Sequence, residues 1–500
     1  MSHIPSVMRA AADRLSGYSS TIRKVSPMSK ADGLLAGDTI RFLLPASSLC
    51  DLRTLKLHFN GTTKSADSNG VVLFPSGITS VIDQIVISCN GVAVETTPAG
   101  YGALVKMLED FTVGREQRDA RKLMQNESIV GFSDLTSDFF TFHSKADDTT
   151  LEPFPLLKPG LRQVNQAFVI DEFPGCLLGT IEPRVQSTAI LGDVMVEYRL
   201  APNSILIASK LTGTTPTPLN YTDTTGYSGV APMAIDNTTA IVKGTITDAA
   251  PVSPSYQLDG AYLSVKTLDL AGSDYYSSLK SQIEAGPVSM PYQHWIMQPG
   301  TLTSANVNQT SRVTVNSSDV NLILATFQPA DFAANTVQPG GTSIGTSPAA
   351  STGGCFGNSG TSRYFQRGSV DSTQVYAGTF SINNVTVGYP ADLGSVWSDV
   401  KDEFALGRNT LTGLNPRIRS VSDFAKAHFV QVLRLNMLLD KNVPESVRAL
   451  TGLDSRESTL QILWTTTGAT VGNINVIPQL WVGSTALLQV GAGRAIKLTA

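Results

Sequence analysis

The chain has 500 residues, 42% of them hydrophobic, and a net charge of −4 at neutral pH; this length predicts two or more domains rather than one small core. The small negative charge excludes a general electrostatic attraction to nucleic acid. Charged residues make up only 16% of the chain, against about 25% in typical globular proteins, which fits either a β-rich protein with long neutral loops or a subunit that buries much of its surface in an assembly.

Residues 1–30 are predicted to form an N-terminal arm. Its segment IPSVMRAAADRLSGY has the apolar spacing of one short helix, and Gly17 and Pro27 then break the pattern. The arm carries four cations: Arg9, Arg14, Arg23 and Lys24. This density is too low for a nucleic-acid arm, and no interleaved aromatic residues support base stacking. Contact with a neighbouring subunit is the first interpretation, and contact with an anionic membrane is the second.

From Thr39 onward, short apolar or alternating runs are separated by Pro, Gly and Asn, which is typical of β-strands. In TLKLHF, Leu55, Leu57 and Phe59 alternate with polar residues, so one strand face is expected to be buried. The dipeptide Asn90–Gly91 joins two such runs and predicts a tight hairpin. The following segment, GYGALVKMLEDF, has apolar residues at helical spacing.

Similar strand patterns continue to the C-terminus, with two interruptions. Residues 211–256 are rich in Thr, Pro, Gly and Asn and are predicted to be a connector or projecting loop, with a strand pair near TAIVKGTIT. Residues 339–361 are rich in Gly and Ser and are expected to form a second loop. The remaining segments then divide into a first domain at 31–210 and a second at 257–500.

One unit of the sequence occurs twice, at a constant offset of 293 residues (381 − 88): SCNGVAVETTPAGYGALVKMLEDF begins at Ser88, and SINNVTVGYPADLGSVWSDVKDEF begins at Ser381. Both copies are predicted to form a strand, a turn, a second strand and a helix, and both have an acidic pair before a final Phe. The matching positions are Asn90, Val92, Val94 and Phe111 in the first copy and Asn383, Val385, Val387 and Phe404 in the second. The fold class predicted is mainly β, with two consecutive antiparallel eight-stranded jelly rolls and short helices between strands.

No motif indicates an enzyme or a cofactor site. The five histidines lack metal-ligand spacing, and the four cysteines (Cys50, Cys89, Cys176 and Cys355) form neither a metal knuckle nor a CxxC pair. The acidic pairs, Glu109–Asp110 and Asp402–Glu403, are adjacent on helices and therefore diverge; we interpret them as solvated faces or contacts to a neighbour. The chain is expected to bind no metal or cofactor.

Residues 1–25 lack the continuous apolar segment of a signal peptide, and no apolar run approaches the roughly 18 residues that span a bilayer. We therefore expect neither a signal peptide nor a membrane-spanning segment in this sequence.

The segment IDQIVISCNGVAVETTPAGYGALVKMLEDF is similar to the first-roll passage of polinton-like virus and virophage capsid proteins. The chain as a whole, from about residue 35, resembles the double jelly-roll major capsid proteins of the adenovirus, tectivirus, polinton-like virus and virophage lineage. The resemblance implies a structural protein of the virion, assembled inside the host cell, that forms homotrimers with a six-cornered outline. It also implies contacts with neighbouring capsomers, penton proteins and minor or cement proteins, leaves an internal membrane open, and implies no sequence-specific nucleic-acid binding. The arm at residues 1–30 would then face inward, toward minor proteins, a membrane or the genome.

Two other hypotheses remain beside this one. A tandem jelly-roll protein can be a carbohydrate-binding module, which would need an exposed aromatic platform for sugars; the four tryptophans, at 295, 397, 464 and 481, instead lie in core-like runs. A tandem-β hydrolase is the third hypothesis, although no acid–base constellation is visible.

Overall fold

The computed structural model describes residues 18–65, 70–75, 77–112, 166–212, 245–247, 254–270, 274–300, 309–317, 319–329, 363–365, 367, 377–403, 424, 428–435, 453–455, 460–467 and 476–499. Antiparallel β-strands dominate this part of the chain, and most of the helices are only one to three turns long.

The first half contains twelve described strands. They are β1 (Tyr18–Val25), β2 (Thr39–Leu43), β3 (Leu49–Ser65), β4 (Gly70–Leu73), β5 (Ile82–Cys89), β6 (Val92–Thr96), β7 (Gln166–Ile170), β8 (Val185–Ser187), β9 (Val194–Leu200), β10 (Ile207–Thr212), β11 (Thr245–Thr247) and β12 (Pro254–Leu270). One sheet has the order β1-β12-β3-β7, with β8 also paired to β3, and a second has the order β2-β9-β5-β6. A small third sheet, β11-β10-β4, extends from this half.

The second half contains nine described strands. They are β13 (Val288–Pro299), β14 (Gln309–Val315), β15 (Val320–Pro329), β16 (Ala377–Ile382), β17 (Val385–Ala391), β18 (Gln431–Arg434), β19 (Leu460–Thr467), β20 (Val476–Gly491) and β21 (Ala495–Thr499). Their sheets have the orders β13-β20-β15-β18, with β21 paired to β20, and β14-β19-β16-β17.

The two halves share one topology. If the eight main strands of each half are counted along the chain, omitting the short β4, β8, β10, β11 and β21, one sheet has the order 1-8-3-6 and the other has the order 2-7-4-5. Two facing four-stranded antiparallel sheets connected in this way form a jelly roll. The predicted fold class is therefore confirmed: the chain is two consecutive eight-stranded jelly rolls.

Short helices occupy the connections between strands. The described α-helices are α1 (Tyr101–Thr112), α2 (Leu177–Thr180), α3 (Thr188–Leu191), α4 (Asp274–Ala285) and α5 (Leu393–Glu403). Single turns of 3-10 helix occur at Ile78–Val81, Asn203–Ile205, Arg363–Phe365 and Ala492–Arg494. The helices α1 and α5 each follow a hairpin, at the place where the sequence predicted them.

The last strand of the first roll corrects a predicted boundary. We assigned residues from 257 onward to the second roll, but β12 pairs with β3 and with β1, two strands of the first roll. The error arose because the Thr- and Pro-rich text of 211–256 looks like a linker between domains, whereas it separates two strands of one roll. The first roll therefore extends to Leu270.

The N-terminal arm is also shorter than predicted. Residues 18–25, which we placed in the arm, form β1 and pair with β12 from Tyr18 to Val25. The predicted helix before Tyr18 lies outside the described residues. A strand pair was expected near TAIVKGTIT in the 211–256 loop; one strand, β11, is described there, and it pairs with the end of β10, while the rest of that segment up to residue 244 lies outside the described residues. The 339–361 loop lies outside the described residues.

Each roll has an aromatic core between its sheets. In the first roll, Phe74 packs edge-on against Phe168 and Tyr256, with ring centroids 5.4 and 5.9 Å away. In the second roll, Trp464 packs against Phe327 at 4.7 Å, and its indole Nε1 donates a hydrogen bond to Gln431. The predicted alternation on β3 is confirmed, since Leu55, Leu57 and Phe59 are all buried.

Candidate functional site: the duplicated hairpin and the junction between the rolls

The two copies of the duplicated unit occupy the same place in their rolls. The first copy is β5, β6 and α1, and the second is β16, β17 and α5. In both, the hairpin forms the edge of the 2-7-4-5 sheet, and the first hairpin strand pairs with the seventh strand of its own roll.

The turns of the two hairpins are also alike. Each has two central residues with positive φ, Asn90 and Gly91 at 49° and 80°, and Asn383 and Asn384 at 50° and 64°. This pattern suits a tight hairpin, and Asn and Gly are the residues that tolerate it. The backbone N–H of Asn90 donates to the carbonyl of Asp193, beside β9, and that of Asn383 donates to Gln461 in β19. Asn90 and Asn383 therefore hold corresponding positions in the two rolls.

The second turn gives a direct test of this assignment. We expect Asn383→Val to destabilise the second roll by about 1–2 kcal/mol, because a β-branched residue is strained at this positive φ and because the Asn383 Oδ1 that accepts the Gln461 N–H is lost. Asn384→Gly, which copies the first turn, should change stability by less than about 1 kcal/mol. Urea denaturation of both variants measures the difference, and equal effects would contradict the turn assignment.

The valines of the unit divide into two kinds. Val92 and Val385 begin the return strands at the hairpin tips and remain 45% and 67% exposed. Val94, two residues further, is buried, and Val387 is half-buried. Phe111 is buried at the end of α1, and Phe404 lies outside the described residues.

Helix α1 is buried on nearly all sides, which corrects the interpretation of its acidic pair as a solvated face. Glu109 and Asp110 are only 6% and 1% exposed. One side of α1 contacts its own roll at the Ile78–Val81 turn and at β5. Its other side contacts the second roll, where Phe111 packs against Phe424 with ring centroids 6.4 Å apart.

Asp110 joins the two rolls through a buried charged cluster. Its Oδ2 accepts a 2.6 Å hydrogen bond from Arg367 Nη2 and lies 2.9 Å from His428 Nδ1, both in the second roll. The three side chains are at most 6% exposed. In such a dry site the carboxylate and the guanidinium each compensate the desolvation cost of the other.

A second carboxylate–histidine pair crosses the junction at β6, the second strand of the first copy. Glu95 Oε1, on β6, lies 3.0 Å from His294 Nδ1 on β13. The adjacent Tyr292 donates its hydroxyl to the carbonyl of Val94, at 2.9 Å. Burial raises the pKa of Glu95, and the bond to His294 partly opposes that shift. His294 is therefore hydrogen-bonded, but with 22% of its side chain exposed it is half-buried and not fully buried.

The segment that follows β7 completes the junction around β13. The N–H of Glu182 donates to the Pro291 carbonyl, and the N–H of Gln293 donates to the Thr180 hydroxyl. Gly175, at a φ of 68°, lies against Trp295, since a Cβ there would come within 3.1 Å of the indole nitrogen. Sequence reasoning missed Arg367, Glu95 and this segment, because no pattern in the text indicates which distant residues meet.

The four cations predicted to belong to the arm differ in where they lie. Arg9 and Arg14 lie outside the described residues. Arg23 and Lys24 are exposed on β1, and the Lys24 ammonium lies 4.2 Å from the centre of the Tyr262 ring on β12. They therefore belong to the sheet of the first roll, and not to a separate arm.

The other side chains that could react or bind a metal are not gathered into one site in the described part of the chain. Cys50, Cys89 and Cys176 are free and buried, and burial raises their pKa values to about 11, 12 and 12. Within the described ranges, no group of three or more His, Cys, Asp or Glu side chains could hold a metal ion. None of the helices in this part of the chain has the length and apolar composition needed to cross a bilayer.

Comparison with solved structures places this topology among known folds. The quasi-atomic model of the PBCV-1 virus capsid matches 97% of this chain and 98% of its own, with a TM-score of 0.50 and 10% identity. The major capsid protein of Faustovirus matches 94% of this chain and 90% of its own, with a TM-score of 0.52 and 10% identity. The chain has the double jelly-roll fold of viral capsid proteins. No protein-family model and no curated protein matches the sequence, so the likeness lies in the fold.

The double jelly roll accounts for the duplicated sequence unit. A roll needs a hairpin at the edge of its 2-7-4-5 sheet, and this chain builds that hairpin twice with the same turn and a following helix. In the first roll the unit also forms the contact with the second roll. The candidate functional feature is therefore a surface for packing one roll onto the next.

Proposed function

We propose that the chain is a major capsid protein, a structural subunit whose homotrimers are pseudo-hexagonal capsomers of an icosahedral virus shell. The observation that carries this proposal is the repetition of one eight-stranded topology in both halves of the chain. Its support from comparison is the likeness of nearly the whole chain to the PBCV-1 capsid and to the Faustovirus major capsid protein.

Symmetry gives the repetition a purpose. Three copies of a chain with two similar rolls form a ring of six rolls, which has three-fold symmetry but a nearly six-fold outline. Such an object can occupy hexagonal positions in a closed shell. Heterologous contacts of this kind form a ring when the rotation between neighbours closes.

Assembly also explains the low density of charge. Edge strands expose unpaired backbone groups, and covering them with another roll removes this hazard. Obligate interfaces often bury more than about 2,000 Å² in total and are poor in charged residues at their centres. A chain with 16% charged residues suits such extensive contacts.

The proposed partners follow from this role. They are two further copies of the chain, neighbouring capsomers, penton proteins and minor or cement proteins, with an internal membrane as an additional partner of the inner surface. The proposed location is the virion, after assembly inside the host cell. Residues 1–17, with Arg9 and Arg14, would face inward as the arm.

The other hypotheses gain no support from the described side chains. Trp295, Trp464 and Trp481 are at most 4% exposed, and Trp397 is half-buried. In the described part of the chain they therefore form no exposed aromatic platform for sugars. We propose a structural role and not a catalytic one.

The proposal is tested by purifying the full chain and measuring its mass and shape. We expect light scattering at micromolar concentration to give the mass of three chains, about 160 kDa from 53.1 kDa each. Negative-stain images should show particles with a hexagonal outline. A monodisperse monomer at low and physiological salt would overturn the proposal.

A further inference from the structure

The two copies of the duplicated unit differ in how completely they are covered. Helix α1 is buried around its circumference because the second roll packs on it. Helix α5 buries Val396 and Val400 against its own roll, whereas Gly394 and Ser398 are exposed. The α5 unit therefore has the same packing elements as the α1 unit, but in the part of the chain that the structure describes it shows only the contact with its own roll.

The 1-8-3-6 sheets of the two rolls also differ in how completely their faces are covered. In the second roll, consecutive residues of β15 and β20 are buried, for example Ile323 through Phe327, so both faces of that sheet are covered. In the first roll, the corresponding strand β12 alternates between buried and half-exposed residues. Among the described residues, one face of the β1-β12-β3-β7 sheet therefore contacts its own core, and the other face is half-exposed.

This open surface, which we name the basic face, is formed by residues on three neighbouring strands. Lys24, Ser264 and Lys56 lie side by side in one row across β1, β12 and β3. His58 and Tyr262 form the next row and stack with ring centroids 4.5 Å apart. Beyond the Lys24 row, Ile22 pairs with Lys266, and Ile22 is 75% exposed.

Positive charge dominates the basic face. Lys24 and Lys56 are near enough to His58 to lower its pKa, although burial is the larger cause. The acid next to Lys266 is Asp51, and it already accepts two hydrogen bonds from the Arg53 guanidinium. The central rows contain no carboxylate.

The α5 unit carries the opposite charge. Between residues 392 and 403 it has four acids and one base, namely Asp392, Asp399, Asp402, Glu403 and Lys401. The α1 segment, Tyr101–Thr112, has two acids and one base, and it contacts the second roll largely through buried aromatic and charged groups. Charge complementarity of this kind selects a partner and its register.

We propose that the basic face of the first roll docks the β17–α5 unit of a second copy of this chain, so that the contact within a chain uses buried aromatic and charged groups, while the contact between chains depends on the opposite net charges of the basic face and the α5 unit. This inference rests on the proposed function, since it requires a ring of chains. It adds that the ring opens at high salt, because a separated pair of exposed charges is screened strongly when the Debye length falls to about 3 Å at 1 M salt. The rolls within each chain would stay joined under the same conditions.

The test combines a salt titration with reversal of charge on each side. The variants are Lys56→Glu with Lys266→Glu on the basic face, Asp399→Lys with Asp402→Lys on α5, and a chain that carries all four changes. We expect each double variant to need a concentration at least about tenfold higher for half-assembly. The fourfold variant should recover most of that loss, because its reversed charges attract again. Sedimentation velocity from about 0.05 to 1 M NaCl measures these shifts.

Lys64→Glu is the matched control, since it changes an exposed lysine of the same strand β3 outside the basic face. It should assemble as the unaltered chain does, and circular dichroism should show all variants folded. Trimers that resist 1 M salt, together with double variants that assemble normally, would overturn this inference and leave the capsid proposal standing. An unaltered chain that is monomeric at every salt concentration would overturn both.

Discussion

Replacing Asp110 by alanine is expected to destabilise the chain by about 3–5 kcal/mol. The change leaves the Arg367 guanidinium, which is 6% exposed, in a dry site without the carboxylate that it binds at 2.6 Å. It also removes the oxygen that lies 2.9 Å from His428 Nδ1. Because the cluster joins α1 to the second roll, the loss should appear as early separation of the two rolls in urea, measured by tryptophan fluorescence.

An exposed pair of the same chemistry provides the control. Arg41 and Glu197 form a 2.7 Å salt bridge, with side chains 55% and 23% exposed. Glu197→Ala should cost less than about 1 kcal/mol, as is usual for ion pairs in contact with water. If Asp110→Ala cost no more than Glu197→Ala, the cluster would not hold the rolls together.

Gly102→Ala is expected to destabilise the chain by about 1–3 kcal/mol, although alanine is normally the better helix former. A Cβ at residue 102 would lie 2.6 Å from the Ser80 carbonyl oxygen and 3.1 Å from that of Ile82. These are backbone atoms, so the helix must move away, and overpacking of this kind carries a cost of that size. The displacement of α1 would also disturb Asp110 and Phe111, which lie further along the helix at the junction.

A matched substitution is available at Gly394, which is the second residue of α5 as Gly102 is the second residue of α1. A Cβ there would meet only Asp392 Oδ1, at 3.5 Å, which is an ordinary contact. Gly394→Ala should therefore be neutral or stabilise the chain by up to about 1 kcal/mol. Thermal unfolding of the two variants should give shifts of opposite sign or very different size, and a similar gain for both would refute the close approach of α1 to Ser80.

Local patterns in the sequence predicted the elements that local physics controls. Asn90–Gly91 and Asn383–Asn384 form turns with positive φ at both central positions, which few other residues tolerate. The helical spacing in α1 and the alternation in β3 were likewise predicted correctly, because burial of one face makes apolar residues recur at a regular interval in the sequence. From these elements and the repeat, the two rolls could be inferred.

Long-range pairing could not be inferred in the same way. Nothing in the residues of β12 shows that they lie between β1 and β3, so the strand was placed in the wrong roll. The burial of Asp110 was missed for a similar reason, since its partners Arg367 and His428 lie more than 250 residues away in sequence. A charged residue on a helix is usually solvated, and only the tertiary structure identifies the exceptions.

The position of β12 also constrains how the chain folds during synthesis. Val25 pairs with Leu263, so β1 has no partner until almost the whole first roll has left the ribosome. At a translation rate of about 5–20 residues per second, that delay is roughly 10–50 s. In the second roll the same geometry delays β13, whose Val288 pairs with Val490. The two intervals do not overlap, since β12 precedes β13 along the chain. The strand β1 can therefore pair with β12 before β13, which begins a roll of identical topology, emerges and could take its place.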